Sequence, residues 1–391
     1  MTISATTQGI KPGVCTSTNR PVNPFDGQVI YMTDVDQTAV WDGSQWTVLA
    51  PIASGRNMII NGAMQVHQRG TSTASITTPG YYTADRWLND ISAMGTWTSS
   101  VENDAPTGSG FRKSLKILCT TADASPSAND VAGIYTALEG QNVQQFLKGT
   151  SSAKQFSLSF WVKSNVAGTY IAELYDGDNT RQVSAAYTIS ASATWEKKTI
   201  IFPADTTGAF DNDSNASLFV VFALGAGSAR TSGTLSTVWN TAVEANRFAG
   251  QVNLAAATNN YWQITGVQLE AGAVATPFEF EDFGTTLQKC QRYYEQERTT
   301  LQTMYWASNA SGTVYGQSFI FSMPKRAAPT IKTYDAANTV DRHSTYDAGA
   351  ARTDGRTNNL VDATSTGFSV RGYNVAGAFG YGFYWTAESE L

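Results

Sequence analysis

The chain has 391 residues, of which 42% are hydrophobic, 12% aromatic and only 15% charged, with a net charge of −6 at pH 7. So much apolar material excludes a disordered chain, and a charged share well under the roughly 25% of an average soluble domain points to an all-β protein rich in small polar residues. The absence of a basic run argues against nucleic acid as a partner, and no apolar run reaches the roughly 20 residues that span a bilayer. Cys15, Cys119 and Cys290 lack metal-site spacing, and their odd number fits free thiols in a reducing compartment. The first residues, MTISATTQGIKPG, have neither the basic nor the apolar region of a signal peptide.

Residues 1–20 are polar. The runs QVIYMTD and TAVWDGSQWTVLA then read as short strands, with Asp42-Gly43 as a hairpin turn that needs positive φ. This β-meander, residues 1–52, is too small to bury much core alone. Residues 51–55 read as a linker. From 57 to 283, short strands separated by turn signals indicate a β-sandwich: 114–120, 156–164, 169–176, 185–190, 196–203 and 217–225. In FSLSFWVKS (156–164) Phe156, Leu158, Phe160 and Val162 share one face, and Trp161 the other. Ala137–Leu147 reads as a short helix.

Tyr261–Leu269 alternates as a half-buried strand, with a one-residue shift that suggests a bulge at Gly266. Gly272 and Pro277 break the pattern. A helix over 286–298 is then expected, with Thr285 and Gln288 at capping-box spacing and Leu287, Cys290 and Tyr294 along one face. The rest of 286–391 reads as a β-rich tip with strands at 313–323, 367–375 and 380–389, a turn bounded by Pro324 and Pro329, and a polar mobile loop at 341–366.

Catalysis finds little support. His67 and His343 are the two histidines, and no nucleophile elbow or HExxH motif is present. The acidic clusters around Asp176 and Asp178, and around Asp211 and Asp213, are explained by turn chemistry. The alternative is a structural calcium ion held by Asp211 and Asp213; no other cofactor is expected. Sugar faces pack on aromatic rings while their hydroxyls seek Asp, Asn and Arg. On that ground Trp97, Tyr175 with Asp176 and Asp178, Trp239, Tyr305, Trp306 and Tyr373 are candidate glycan contacts, with core or interface packing as the competing role. Tyr81, Tyr82, Asp85, Arg86 and Trp87 read as a structural cluster.

The segment VQLEAGAVATPFEFEDFGTTLQKCQRYYE (267–295) resembles a segment of tail-fibre and related virion proteins of tailed bacteriophages. NMIINGAMQVHQRG (57–70), YTADRW (82–87), FSLSFWVKS (156–164) and TWEKKTIIFPADTTG (194–208) follow the order of that family, as in part do RPVNPFDGQVIY (20–31) and WDGSQW (41–46). MPKRAAPTIKTYD (323–335) resembles a segment of phage tip domains. The order of strands in the central region resembles jelly-roll carbohydrate-binding modules. The resemblance implies a non-enzymatic virion protein of a phage tail, made in the host cytoplasm and released by lysis. It would be a homotrimeric tail fibre, organised by the helix carrying Leu287, Cys290 and Tyr294, that recognises a host surface polysaccharide. Residues 1–52 would attach to other tail or virion proteins. Two alternatives stand beside it: a structural head or collar fibre or connector without receptor contact, and a glycan depolymerase.

Overall fold

The computed structural model describes residues 12–35, 37–49, 55–305, 314–347, 352–357, 360–373 and 378–391. The N-terminal unit is one four-stranded sheet: β1 (Gly13–Cys15), β2 (Val29–Met32), β3 (Gln37–Trp41) and β4 (Trp46–Val48), in that order. β2, β3 and β4 form the expected antiparallel meander, but β1 pairs with β2 in parallel. The β3–β4 loop holds Asp42 to Gln45, longer than a two-residue turn. Its Asp42 carboxylate accepts the Ser44 and Gln45 amides at 2.8 Å, while Gly43 takes φ +97. Among the described residues the unit's buried core is Ile30, Met32 and Ala39, with Cys15, Val35, Trp46 and Val48 packed against them, and Val14, Val22, Phe25 and Leu49 stay exposed.

The central unit is a two-sheet sandwich. Its strands are β5 (Ser72–Ile76), β6 (Gly80–Tyr81), β7 (Leu88–Ser92), β8 (Thr96–Glu102), β9 (Ser114–Thr121), β10 (Val131–Glu139), β11 (Phe156–Ser164), β12 (Gly168–Asp176), β13 (Arg181–Ile189), β14 (Glu196–Phe202), β15 (Ala216–Ala226), β16 (Asn240–Thr241) and β17 (Tyr261–Ala271). One sheet has seven strands in the order β16-β13-β12-β15-β10-β7-β6, the other six in the order β14-β11-β17-β9-β8-β5. The chain changes sheet at most connections, so strands far apart in sequence become neighbours. The inward faces meet in one core that includes Trp87, Trp97, Phe156, Phe160, Phe222 and Trp262.

The bulge stands where the alternation breaks. Ser159 pairs with Gln268 and Trp161 with Thr265, so β17 carries one extra residue at Gly266, which has φ +62. A Cβ at Gly266 would lie 2.5 Å from the Phe111 ring, so glycine is required there on two counts. The extra residue keeps Ile264 and Val267 both inside.

The expected helix over 137–147 is instead the end of β10 followed by two 3₁₀ turns, Gly140–Asn142 and Gln144–Phe146, and Leu147 at φ +51. A Cβ on Gly140 would meet the Asp211 carbonyl at 2.0 Å, so the backbone runs too close to its neighbour for a helical turn with side chains. The second expected helix is real but earlier and shorter. After a four-residue helix α1 (Ser228–Thr231) within the sandwich, α2 spans Phe283–Gln291. Asp282 caps it by accepting the Gly284 amide at 2.8 Å, and Thr285 and Gln288 do not form the capping box.

The C-terminal unit has β18 (Tyr294–Tyr305), β19 (Val314–Ile320), β20 (Thr330–Tyr334), β21 (Arg342–Asp347), β22 (Arg352–Thr357), β23 (Leu360–Ala363), β24 (Gly367–Tyr373) and β25 (Ala378–Glu388). β25 joins β18, β20 and β21 in a five-stranded sheet with β22, and β19, β24 and β23 form a second sheet. Much of 341–366, read as a mobile loop, is therefore strand: β21, β22 and β23 lie within it.

The C-terminal and central units share a charged seam. The Arg86 guanidinium is buried, pairs with Glu390, donates to the Ala137 carbonyl at 2.6 Å and lies 3.5 Å from the Tyr293 ring centre. Arg69 lies over the Tyr294 ring at 3.6 Å and reaches Glu390 at 3.1 Å. Burial lifts the Asp85 carboxyl to about 6 against the pull of Arg69.

Candidate functional site

The outer face of the seven-stranded sheet is apolar, because β15 is apolar on both sides. Leu218, Val220, Phe222 and Leu224 enter the core, while Phe219, Val221 and Ala223 point the other way. The segment 227–252 crosses part of that face. Phe248 packs there against Val131, Ile171, Val221 and Ala223. Arg247 is the anchor: its Nε donates to Glu173 Oε1 at 3.0 Å, its Nη2 to Glu173 Oε2 at 2.7 Å and its Nη1 to Glu244 Oε1 at 3.3 Å. Glu173 is fully buried, and burial raises its pKa while Arg247 pulls the other way.

Beyond this segment the face opens into a cavity of about 240 Å³ lined by Asp90, Tyr135, Tyr175, Phe219, Val221 and Arg247. The register explains the gathering. Tyr175 pairs with Phe219 across β12 and β15, Tyr135 with Val221 across β10 and β15, and Gly133 with Asp90 across β10 and β7. Tyr135 and Phe219 meet edge-on at 5.6 Å, and Tyr175 and Phe219 at 6.0 Å. Arg247 lies 5.0 Å from the centre of the Tyr175 ring. Burial pushes both the Asp90 carboxyl and the Tyr135 phenol up. Neither side chain has a hydrogen-bond partner among the described residues; Arg230 and Arg247 act on Asp90 only through space. An uncommitted carboxylate and phenol beside three aromatic rings can pack against a ring's C–H face and accept or donate to its hydroxyls.

Of the sequence candidates, Tyr175 is the one at this cavity. Trp97, expected to face a ligand, is buried in the core with its indole N–H donating to the Met94 carbonyl at 2.6 Å. It belongs to β8, whose inward set is Trp97, Ser99 and Val101. Ser99 is satisfied by the Thr83 hydroxyl at 2.8 Å, and a serine at an inward position hides the alternation. Trp239 is likewise buried, its N–H on the Pro203 carbonyl at 2.9 Å and its ring 5.6 Å from Phe156. Asp176 is buried against Lys148 at 2.5 Å and accepts the Asn179 amide, which makes it a brace. Lys148 also reaches Asp205 at 3.1 Å. Asp178 is exposed and accepts the Asp211 amide at 2.9 Å, and Asp213 accepts the Asn215 amide at 2.8 Å. Among the described residues no three His, Cys, Asp or Glu converge, so the calcium alternative at Asp211 and Asp213 has no ligand cluster behind it. Tyr305 and Tyr373 end β18 and β24, and Trp306 lies outside the described residues. Cys290 is buried in this same chain, and Tyr294 starts β18 and is buried under Arg69; only Leu287 of the proposed helical face stays partly exposed. Two of the three residues of that face are therefore already covered within this chain.

The reading of the sequence missed Tyr135, Phe219, Asp90 and Arg247. A usable signal was present: a run such as SLFVVFALG, apolar on both faces, requires cover on its second side. A larger cavity, about 530 Å³, lies where α2 meets the sandwich. Its charged groups are engaged: Glu139 accepts Arg292 at 2.6 Å and the Tyr293 hydroxyl at 2.5 Å, and Lys289 pairs with Glu281.

No family model matches the chain, and no curated protein matches it. It does show distant similarity to solved structures over about half its length. The enzymatically active domain of tailspike protein 4 of bacteriophage CBA120 is similar at 14% identity and TM-score 0.31, over 56% of this chain and 22% of that one. A putative sugar binding protein from Bacteroides thetaiotaomicron is similar at 15% identity and TM-score 0.31, over 55% of this chain and 99% of that one. The family 11 carbohydrate-binding module from Clostridium thermocellum, in complex with a β-1,3-1,4-mixed-linked tetrasaccharide, is similar at 10% identity and TM-score 0.27, over 53% and 98%.

Proposed function

We propose that this chain is a non-enzymatic tail-fibre protein of a tailed bacteriophage whose central sandwich binds a host surface glycan in the cavity of Asp90, Tyr135, Tyr175 and Phe219. The observation that carries the binding reading is the uncommitted Asp90 carboxylate among those rings. A binding role without hydrolysis is supported by the count of carboxylates. A glycosidase needs two that can act across a cleft, whereas the neighbouring Glu173 is buried and held by Arg247. The placement in a phage virion rests on the sequence motifs at 57–70, 82–87 and 267–295.

A homotrimer is part of the proposal. With Cys290 and Tyr294 buried, the surfaces that support it are the exposed Val14, Val22, Phe25 and Leu49 of the N-terminal sheet, and Phe280 and Phe283 at the start of α2. Weak single-site contacts would then gain from avidity.

The test is binding of the purified oligomer to host cells, with extracted surface polysaccharide as competitor. Binding that the polysaccharide abolishes and that Tyr175→Ala weakens supports the reading. Binding by a folded Phe219→Ala protein as strong as by the parent sinks the cavity assignment. Failure of the folded oligomer to bind would favour a connector without receptor contact, and release of reducing ends would favour a depolymerase.

A further inference from the structure

The charges around the cavity differ in how far they are already engaged, and this sets what kind of sugar can enter. Resting on the glycan reading above, we infer that the cavity takes a single sugar unit without an acidic group, a chain end or side branch, and excludes acidic sugars.

Size comes first. At about 240 Å³ the cavity falls just below the roughly 300–1,000 Å³ of pockets that enclose drug-sized ligands. One ring therefore fits against Phe219 with its edge toward Tyr135 and Tyr175, and the following units stay outside.

Charge comes second. Arg247 is the cation in the lining, and its fork is closed by Glu173 and Glu244. Arg230, the other guanidinium that acts on Asp90, bonds Glu244 at 3.2 Å and donates to the Asn129 carbonyl. Two guanidiniums and two carboxylates cancel, which leaves Asp90 as the unbalanced group. A uronate or sialate carboxylate placed here would face Asp90 in a half-buried setting with, among the described residues of the lining, no free cation to meet it. An ammonium group meets no such conflict with Asp90, so the exclusion is one of acidic sugars. A sugar hydroxyl has no such conflict. It donates to Asp90 and exchanges hydrogen bonds with the Tyr135 phenol, which has no partner among the described residues.

The arrangement also says which change converts the specificity. Replacing Asp90 by asparagine keeps an acceptor and adds a donor while removing the unbalanced charge. The variant should lose most of its preference for neutral over acidic sugars, whatever its absolute affinity for either.

The experiment is saturation-transfer NMR on the full-length protein at pH 7.5. The probes are the methyl glycosides of glucose, galactose, mannose and N-acetylglucosamine, and the glucuronate, galacturonate and mannuronate counterparts of the first three. The expected result is saturation of at least one neutral glycoside, at least tenfold weaker binding of its acidic partner, and a discrimination that falls below threefold in Asp90→Asn. A melting curve for the variant confirms that it folds. Acidic sugars binding as well as the neutral ones would overturn the selectivity and leave the glycan site standing. Unchanged discrimination in a folded Asp90→Asn would overturn the role given to that carboxylate. Silence from every probe, with the parent protein still adhering to host cells, would place the glycan elsewhere and remove this inference with the cavity assignment.

Discussion

The two sheets of the sandwich share one core and differ on their outer faces. On the six-stranded sheet, β11 reads FSLSFWVKS, and its outward positions are Ser157, Ser159, Trp161 and Lys163. Across the same face Gln263 and Trp195 donate to Asp104 at 3.2 and 3.1 Å, so it is closed by its own polar contacts. On the seven-stranded sheet the outward residues of β15 are Phe219, Val221 and Ala223, which need cover from another segment. The segment 227–252 supplies it over one part only. A recess with aromatic walls therefore forms on the apolar face, where cover is incomplete, rather than on the face that looks more like a ligand surface by its polarity.

The largest effect should come from cutting the anchor of that cover. Arg247→Ala leaves Glu173 as an unpaired buried charge, at a cost of about 3–5 kcal/mol. The melting temperature should drop, and segment 227–252 should become sensitive to protease. Adding Glu173→Gln should recover part of the loss. If the single variant melts like the parent, the segment is held by Phe248 and its apolar neighbours instead.

Phe219→Ala should cost about 1–2 kcal/mol, since the ring is half-buried, and should abolish adhesion to host cells. Denaturant midpoints and cell-binding assays read the two effects separately. Its counterpart on the other face, Trp161→Ala, should cost less than about 1 kcal/mol and leave adhesion unchanged. Equal losses of adhesion from the two variants would erase the contrast between the faces.

The smallest effect concerns pH. Burial raises the Asp90 pKa, so the folded state holds this proton more tightly than the unfolded state. The penalty on the charged carboxylate is present at neutral pH. It fades as pH falls through the folded pKa and below the ordinary carboxylate range. Asp90→Asn should therefore raise the melting temperature slightly at pH 7 and show no advantage in acid. A gain that grows as pH drops would contradict the burial argument.

Local pattern was legible in the sequence wherever one strand carried it alone. The alternation of β11, the extent of β15 and the extra residue at Gly266 all stand where the residues placed them. The helix expected over 137–147 failed because its apolar spacing belongs partly to β10 and partly to tight turns forced by the close pass at Gly140. The site was less legible because it draws one or two residues from each of five segments, Asp90, Tyr135, Tyr175, Phe219 with Val221, and Arg247, brought together by sheet register and by the Arg247–Glu173 pair. Tyr175 stood out through its position beside Asp176, although that aspartate serves Lys148. The tryptophans misled for a simple reason: an indole in an irregular-looking stretch can satisfy its N–H on a nearby carbonyl and enter the core, as Trp97 and Trp239 do.

The extra residue at Gly266 works as a parity element. Before it, the inward residues of β17 are the even-numbered Trp262 and Ile264; after it they are the odd-numbered Val267 and Leu269. The switch sends Gln268 and Glu270 outward, where they take hold of the arm: Gln268 bonds the Thr276 and Pro277 carbonyls at 3.2 and 3.3 Å, and Glu270 accepts the Thr276 amide at 3.0 Å. One residue thus couples two choices that could have been independent, which side chains fill the sandwich and which clasp the chain on its way to α2. Lengthening or shortening β17 by two residues would preserve both choices. A change of one would turn the clasp inward and the core outward together, so the path of the chain into its last unit is written in whether a count is odd or even.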